Sequence, residues 1–110
     1  MNLTVAQNKD LASLFRRGVQ GLELDEDEAV QYLAFLGQFL NTWSVLFDLH
    51  VERHLPDSQW IVIKKDIITM LSTPGGRAFW NDVGKLGVHK DFENAVEKIL
   101  ASEETSYEIV

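Results

Sequence analysis

Residues 25–54 read DEDEAVQYLAFLGQFLNTWSVLFDLHVERH and contain the longest uncharged, largely apolar run in the chain. Apolar side chains and two histidines recur there at alternating steps of four and three residues, which is typical of one face of a helix: Ala29, Leu33, Leu36, Leu40, Trp43, Phe47, His50 and His54. Asp25 with Glu28 three residues later predicts a capping box, at the end of the helix where its dipole favours acids. We therefore predict one central helix, about 45 Å long if it is unbroken.

Four shorter helices are predicted around this one, because prolines favour the first turn of a helix and glycines its end. They cover about residues 6–19, from Pro56 to about Leu71, from Pro74 to near Gly84 or Gly87, and about residues 90–101. Helices three and five are expected to pack along helix two. The predicted fold class is all-α, a bundle of four to five helices around the long central helix (about 25–54). It forms a single domain, 1–110, with about 101–110 as a tail.

The composition excludes several classes of function. Seventeen acids against ten bases give a net charge of −7, and nucleic-acid binders need a basic surface instead. No cysteine is present, which removes disulfides, thiolate metal sites and cysteine nucleophiles. The first twenty residues lack the apolar run of a signal peptide, so we expect the mature protein to begin at Met1. We expect a cytoplasmic protein without a cofactor.

The nineteen residues from Ala29 to Phe47 carry no charge, which is a length typical of a membrane span. Five polar side chains within the run contradict that interpretation, because amides and hydroxyls are costly in lipid: Gln31, Gln38, Asn41, Thr42 and Ser44. Asp48 follows at once, and neither flank carries a basic anchor. We predict a buried core helix and no integral membrane span.

Several short motifs follow one another from about residue 8 to residue 100. They are NKDLASLFRRG (8–18), FLNTWSVLF (39–47), Leu55-Pro56-Asp57 before Trp60, Pro74-Gly75-Gly76-Arg77 before Trp80, and Phe92 with Val96. Their order resembles that of small helical domains in uncharacterised bacterial proteins, many of which carry an N-terminal membrane anchor. That family has no assigned activity, so the resemblance implies no catalytic or binding residue. We expect no such anchor in this protein, and the usual glycine between helices two and three is also missing.

His50 and His54 are the candidate metal ligands, since two histidines four residues apart project from the same face of a helix. A zinc-protease helix needs Glu directly after the first His, whereas Glu52 is the second residue after His50. A third ligand would have to come from elsewhere, such as Asp57 or His89. The competing interpretation, which we favour, places both histidines at the end of the apolar seam, where the negative helix terminus suits them.

Gly75, Gly76 and Arg77 form the candidate ligand site. Bare glycine backbone at a helix N-terminus, beside a guanidinium, can hold an anion. The segment lacks the Lys-Ser/Thr ending of a nucleotide-binding loop, and no strand is predicted before it. We favour a structural interpretation, a tight turn in which the glycines let helices three and four approach closely.

The remaining chemistry of the sequence favours no enzyme. Trp43, Trp60 and Trp80 are expected to meet in the core, with an aromatic ligand cage as the alternative. No carboxylate pair suited to acid–base catalysis and no nucleophile elbow can be picked out. We predict a non-enzymatic regulatory or protein-interaction domain with an unknown protein partner. The alternative is a small-ligand, anion or metal-binding module using His50 and His54 or residues 74–77.

Self-association is the last expectation. Helix two carries apolar side chains on more sides than a few short neighbours can cover, and a two-fold interface would bury the remainder. The residues expected to be exposed for it are Tyr32, Phe35, Phe39, Leu46 and Leu49. Tyr107, Ile109 and Val110 are expected to lie across the second copy of this homodimer. The alternative is a monomer in which helices one and four close the core.

Overall fold

A computed structural model describes the backbone of residues 3–109 and the side chains of residues 9–102. Five α-helices follow one another: α1 (Leu3–Val19), α2 (Glu26–Val51), α3 (Asp57–Leu71), α4 (Pro74–Asp82) and α5 (Lys90–Ile109). A short 3₁₀ turn, Gly84–Gly87, joins α4 to α5. No strand occurs within residues 3–109. The all-α prediction is confirmed.

The start of α2 is built by the predicted capping box. The Asp25 carboxylate accepts a hydrogen bond from the Glu28 backbone N–H at 2.8 Å, and the Asp25 N–H donates to Glu28 Oε1 at 3.2 Å. Arg17, from the last turn of α1, donates to the Glu28 carboxylate through both terminal nitrogens. Glu28 therefore closes the helix end and also ties α1 to it. This hydrogen bond from Arg17 is the main reason that the pKa of Glu28 falls to about 2.

The end of α2 lies at Val51, three residues before the predicted end at His54. Arg53 adopts the left-handed conformation with φ of 66°, and the His54 N–H donates to Leu49 O at 2.8 Å. The left-handed Arg53 explains the early end, because helices commonly end beside a residue in this conformation. With 26 residues, α2 is about 39 Å long rather than 45 Å.

The core is one cluster to which all five helices contribute. Its buried members are Leu14, Tyr32, Leu36, Leu40, Trp43, Trp60, Ile67, Leu71, Phe79, Trp80, Phe92, Val96 and Leu100. Helix α3 packs against α2, α4 and α5. The prediction that helix three lies along helix two is therefore confirmed. The same prediction for helix five is wrong, because α5 packs mainly on α3. It meets α2 where Phe92 contacts Phe47.

Helix α1 docks on α2 and α4 through a close approach of backbones. A Cβ added to Gly75 would lie 1.7 Å from the Gly18 carbonyl oxygen, and one added to Gly18 would lie 2.5 Å from the Tyr32 ring. Only glycine leaves room for these contacts. The two glycines therefore set how near α1 comes to its neighbours.

The surface of α2 differs from the one expected for a dimer. Tyr32 is buried beneath α1, and Phe35 lies between Phe15 and Phe39, with ring centroids 5.2 Å from each. Phe39, Leu46 and Leu49 are half-buried. The large apolar residues of α2 that are exposed are Val30, Leu33, Val45 and Val51. The predicted placement of the interface is wrong for Tyr32, which is buried. An interface at the other four residues, which are half-buried, and the dimer itself stay predictions.

Helix α5 continues to Ile109, eight residues beyond its predicted end. No proline or glycine occurs after Gly87, so nothing in the sequence stops the helix at residue 101. The predicted contacts of Tyr107, Ile109 and Val110 lie outside the side chains that the structure describes. The predicted tail, about 101–110, is thus corrected as far as Ile109, where it continues α5, and Val110 lies outside the described residues.

Candidate functional site

The candidate ligand residues Gly75 and Gly76 lie buried in the first turn of α4. Thr73 caps this helix, with its hydroxyl oxygen accepting the Gly76 N–H at 3.0 Å. A Cβ on Gly76 would lie 1.9 Å from the Met70 carbonyl oxygen of α3. The half-buried Arg77 follows in the same turn. These contacts support the structural interpretation, in which the glycines serve helix packing and the Gly76 N–H serves the cap.

The two candidate metal ligands are not on one helix face. His50 lies in the last turn of α2, but His54 lies beyond the helix end and is exposed. The His50 ring stacks on Trp60, with centroids 5.1 Å apart and an interplanar angle of 13°. Within residues 9–102, no three His, Asp or Glu side chains gather as a metal site would require. The prediction of a shared helical face is wrong, because α2 ends before His54.

His89 was considered only as a third metal ligand, and the structure places it in another role. Its Nδ1 accepts the Phe92 N–H at 3.3 Å, so that Nε2 carries the proton and donates to Asp48 Oδ1 at 3.0 Å. His89 thereby caps α5 and ties its first turn to α2. The cap was visible in the sequence as a polar residue three positions before Phe92. The bond to Asp48 was not, because it joins distant parts of the chain.

The three tryptophans anchor the core separately. Trp43 contacts the Phe39 ring, Trp60 contacts the rings of Phe47 and His50, and no ring contact among residues 9–102 joins one indole to another. The Trp80 N–H donates to Glu97 Oε1 at 3.0 Å. The expectation that the indoles meet one another is wrong, although each is buried as a core anchor.

A groove of about 620 Å³ lies between α3 and α5 and is closed at one end by the last turn of α2. We call it the lysine groove. Each long side presents residues at i, i+3, i+4 and i+7, which lie on one helix face. They are Ile61, Lys64, Lys65 and Ile68 of α3, with Ala95, Lys98, Ile99 and Ser102 of α5. Phe47, His50, Val51 and Trp60 complete the lining.

The floor of the lysine groove is apolar and open to solvent. Trp60 is 7% exposed, whereas Ile61 is 47% exposed and Val51 is 61% exposed. Ile68 and Ile99 are half-buried beside them. Apolar surface that is contiguous, exposed and rimmed by charge marks interaction sites more often than chance would give.

The rim of the lysine groove is basic in an acidic protein. Three of the ten bases of the chain line it, Lys64, Lys65 and Lys98, and no carboxylate among residues 9–102 does. The ion pairs described within residues 9–102 use other cations, Arg17, His50, His89 and Lys90. The groove is therefore a local concentration of positive charge that the described carboxylates leave unneutralised.

Sequence reasoning recognised parts of this surface but not the groove itself. Lys64 and Lys65 are adjacent in the sequence of helix three. Nothing in the sequence placed Lys98 opposite them, because that requires knowing that α5 packs on α3 rather than along α2. The groove is thus a product of helix arrangement.

Comparison of the chain with protein-family models, curated proteins and solved structures found no significant match. The resemblance to small bacterial helical domains therefore stays a prediction. Among the helices described, none combines the length and the apolar character needed to cross a membrane.

Proposed function

We propose that this chain is a non-enzymatic protein-interaction domain and that the lysine groove is its binding surface. The observation that carries the proposal is the combination of exposed apolar side chains on the floor with three lysines on the rim. An apolar floor supplies binding energy through burial, and the charges select partners and orient them. An acidic amphipathic helix has the matching chemistry.

The shape of the groove favours a polypeptide over a small molecule. Small-ligand pockets enclose most of their ligand, whereas this groove lies open along two helices. Its two rows span eight residues each, about 10 Å of helix axis between the first and the last. A helix laid between α3 and α5 would contact both rows, which is the helix-in-groove mode of recognition.

The titratable groups of the groove support a binding role over a catalytic one. Besides the three lysines, His50 is the one titratable side chain among the described residues of the lining, and its ring is stacked on Trp60. General acid–base catalysis requires a positioned acid and base within reach of a substrate. The described lining contains no carboxylate, and the carboxylate that pairs with His50, that of Asp57 at 3.8 Å, lies outside the groove.

A photo-crosslinking amino acid placed at residue 61 tests this proposal in the cells that naturally produce the protein. Ile61 lines the groove, whereas the neighbouring Val62 is similarly exposed but does not line it, so residue 62 is the matched control. We expect a discrete adduct with a protein from residue 61, lost when Lys64 and Lys65 are changed to Glu, and none from residue 62. Absence of an adduct at residue 61, or equal adducts at both residues, would show that the groove is not the binding surface.

A further inference from the structure

Helix α5 continues past the buried core residues that the structure describes. Leu100 is the last of these, and the helix continues to Ile109, a further nine residues or about 13 Å. Residues 103–110 read EETSYEIV. This segment 103–110 combines three glutamates with Tyr107, Ile109 and Val110, so its composition is both acidic and apolar.

The segment 103–110 and the lysine groove have complementary chemistry. The glutamates match the lysines of the rim, and the apolar side chains match the floor formed by Trp60, Ile61 and Ile99. Their lengths also agree, since the helical residues 103–109 rise about 10 Å and the rows of the groove about 10 Å. The last residue of the α5 row is Ser102, immediately before the segment.

The groove of the same chain is out of the segment's reach. Because the segment continues α5 as a helix from Ser102, it leads away from the row that runs from Ala95 to Ser102. A second chain placed antiparallel, with a two-fold axis near Ser102, brings each segment beside the other chain's row. Such isologous pairs are the commonest soluble oligomers.

We infer that the lysine groove is occupied by residues 103–110 of a second copy of this chain, in a reciprocal two-fold exchange. The inference rests on the proposed function and names its partner: the interaction is homotypic. The exchange covers the exposed floor at Val51 and Ile61 and neutralises the three lysines. It replaces the interface expected at Tyr32, which is buried.

Charge exchange between the two surfaces tests the inference with the full-length chain. In one variant, Lys65→Glu and Lys98→Glu reverse the groove; in another, Glu104→Lys and Glu108→Lys reverse the segment. Sedimentation equilibrium of the natural chain should give twice the 12.5 kDa of one chain. Each variant alone should dimerise at least about tenfold more weakly, because like charges then face each other. An equimolar mixture should restore the dimer, since both exchanged contacts are again complementary.

A control variant, Arg16→Glu with Lys85→Glu, has the same net charge as the groove variant but changes residues outside the groove. It should dimerise like the natural chain, and circular dichroism should show all variants equally helical. A monomeric natural chain, a mixture that fails to dimerise, or a control as weak as the groove variant would each overturn the inference.

The crosslinking experiment distinguishes a failure of this inference from a failure of the proposed function. An adduct of residue 61 with a different protein would overturn the inference alone, whereas no adduct would overturn both.

Discussion

Glycines at two positions of this chain have opposite effects on its stability. Gly75 lies where α4 touches α1, and an added Cβ would meet the Gly18 carbonyl oxygen at 1.7 Å. Gly37 lies in the middle of α2, and a Cβ there would meet nothing within 4 Å. The first position excludes any side chain for steric reasons. At the second position, glycine only lowers the helix propensity of α2, because glycine loses more backbone entropy on folding than alanine does.

We expect Gly75→Ala to lower the free energy of unfolding by about 3 kcal/mol, since rigid backbone must move to admit the methyl group. We expect Gly37→Ala to raise it by about 1 kcal/mol. Urea denaturation followed by circular dichroism measures both. Equal effects of the two substitutions would contradict the packing role of Gly75.

The role of these glycines was partly predictable from the sequence. A Gly-Gly pair after Thr73-Pro74 predicts a tight turn between helices three and four, and Gly76 does pack against Met70 of α3. The contact of Gly75 with Gly18 was not predictable, because no local pattern pairs residues so far apart. Turns can be predicted from neighbouring residues, whereas contacts between helices depend on residues that are far apart in the sequence.

Among the helices, the start of α2 gives a pH dependence. Glu28 has its pKa lowered from 4.5 to about 2, first by the hydrogen bond from Arg17 and then by that from the Asp25 N–H. A carboxylate with a lowered pKa in the folded state contributes stability above its unfolded value, and this contribution is lost as the pH falls through the folded one. The loss should therefore occur between about pH 4.5 and about pH 2.

Glu28→Gln should remove this part of the acid dependence, so that the variant loses less stability than the natural chain between neutral pH and about pH 2. The matched control is Glu26→Gln, which removes an acid from the same helix turn but has no described ion pair. Urea midpoints at several pH values give the comparison. A Glu28→Gln variant with the same acid dependence as the natural chain would show that the contact with Arg17 is energetically unimportant.

Helix starts in this chain were predicted better than helix ends. The start of α2 depends on Asp25 and Glu28, which are three residues apart and whose spacing is a known signal. Its end depends on the left-handed conformation of Arg53, and an arginine in the sequence does not predict that conformation. The end of α5 was predicted from a change in polarity at residue 101, although polarity alone does not stop a helix.

In the molecule as a whole, Phe47 joins three helices. Its ring lies 5.7 Å from that of Trp60 in α3, 5.6 Å from that of Phe92 in α5 and 6.1 Å from that of His89. Both α3 and α5 thus begin beside one side chain of α2. Since the lysine groove lies between those two helices, Phe47 also sets the closed end of the groove.

Phe47→Ala should lower the free energy of unfolding by about 3 kcal/mol, near the lower limit for buried phenylalanines because the ring is half-buried. Val45→Ala is the control on the same helix, where an exposed side chain should cost less than about 0.5 kcal/mol. Thermal unfolding by calorimetry distinguishes the two. Similar costs at both positions would show that Phe47 does not hold α3 and α5 to α2.

At this scale, the sequence predicted the helical class and the central place of α2 in the apolar core. It did not predict that α5 would pack mainly on α3, since α2 is longer and more apolar. The lysine groove, which lies between α3 and α5, follows from that arrangement. If α5 lay along α2, as the apolar pattern suggested, then Lys98 would not face Lys64 and Lys65.

The position of Trp60 makes its fluorescence a natural probe of the lysine groove. Trp43 and Trp80 are enclosed in the core, at 2% and 0% exposure, whereas Trp60 lines the lysine groove with the His50 ring stacked on it. Indole emission depends on the polarity around the ring and on neighbouring groups that quench it. Whatever enters the groove changes both for Trp60 and leaves the other two indoles in their packed surroundings. Occupancy of the groove can therefore be followed by fluorescence in the natural chain, without a label.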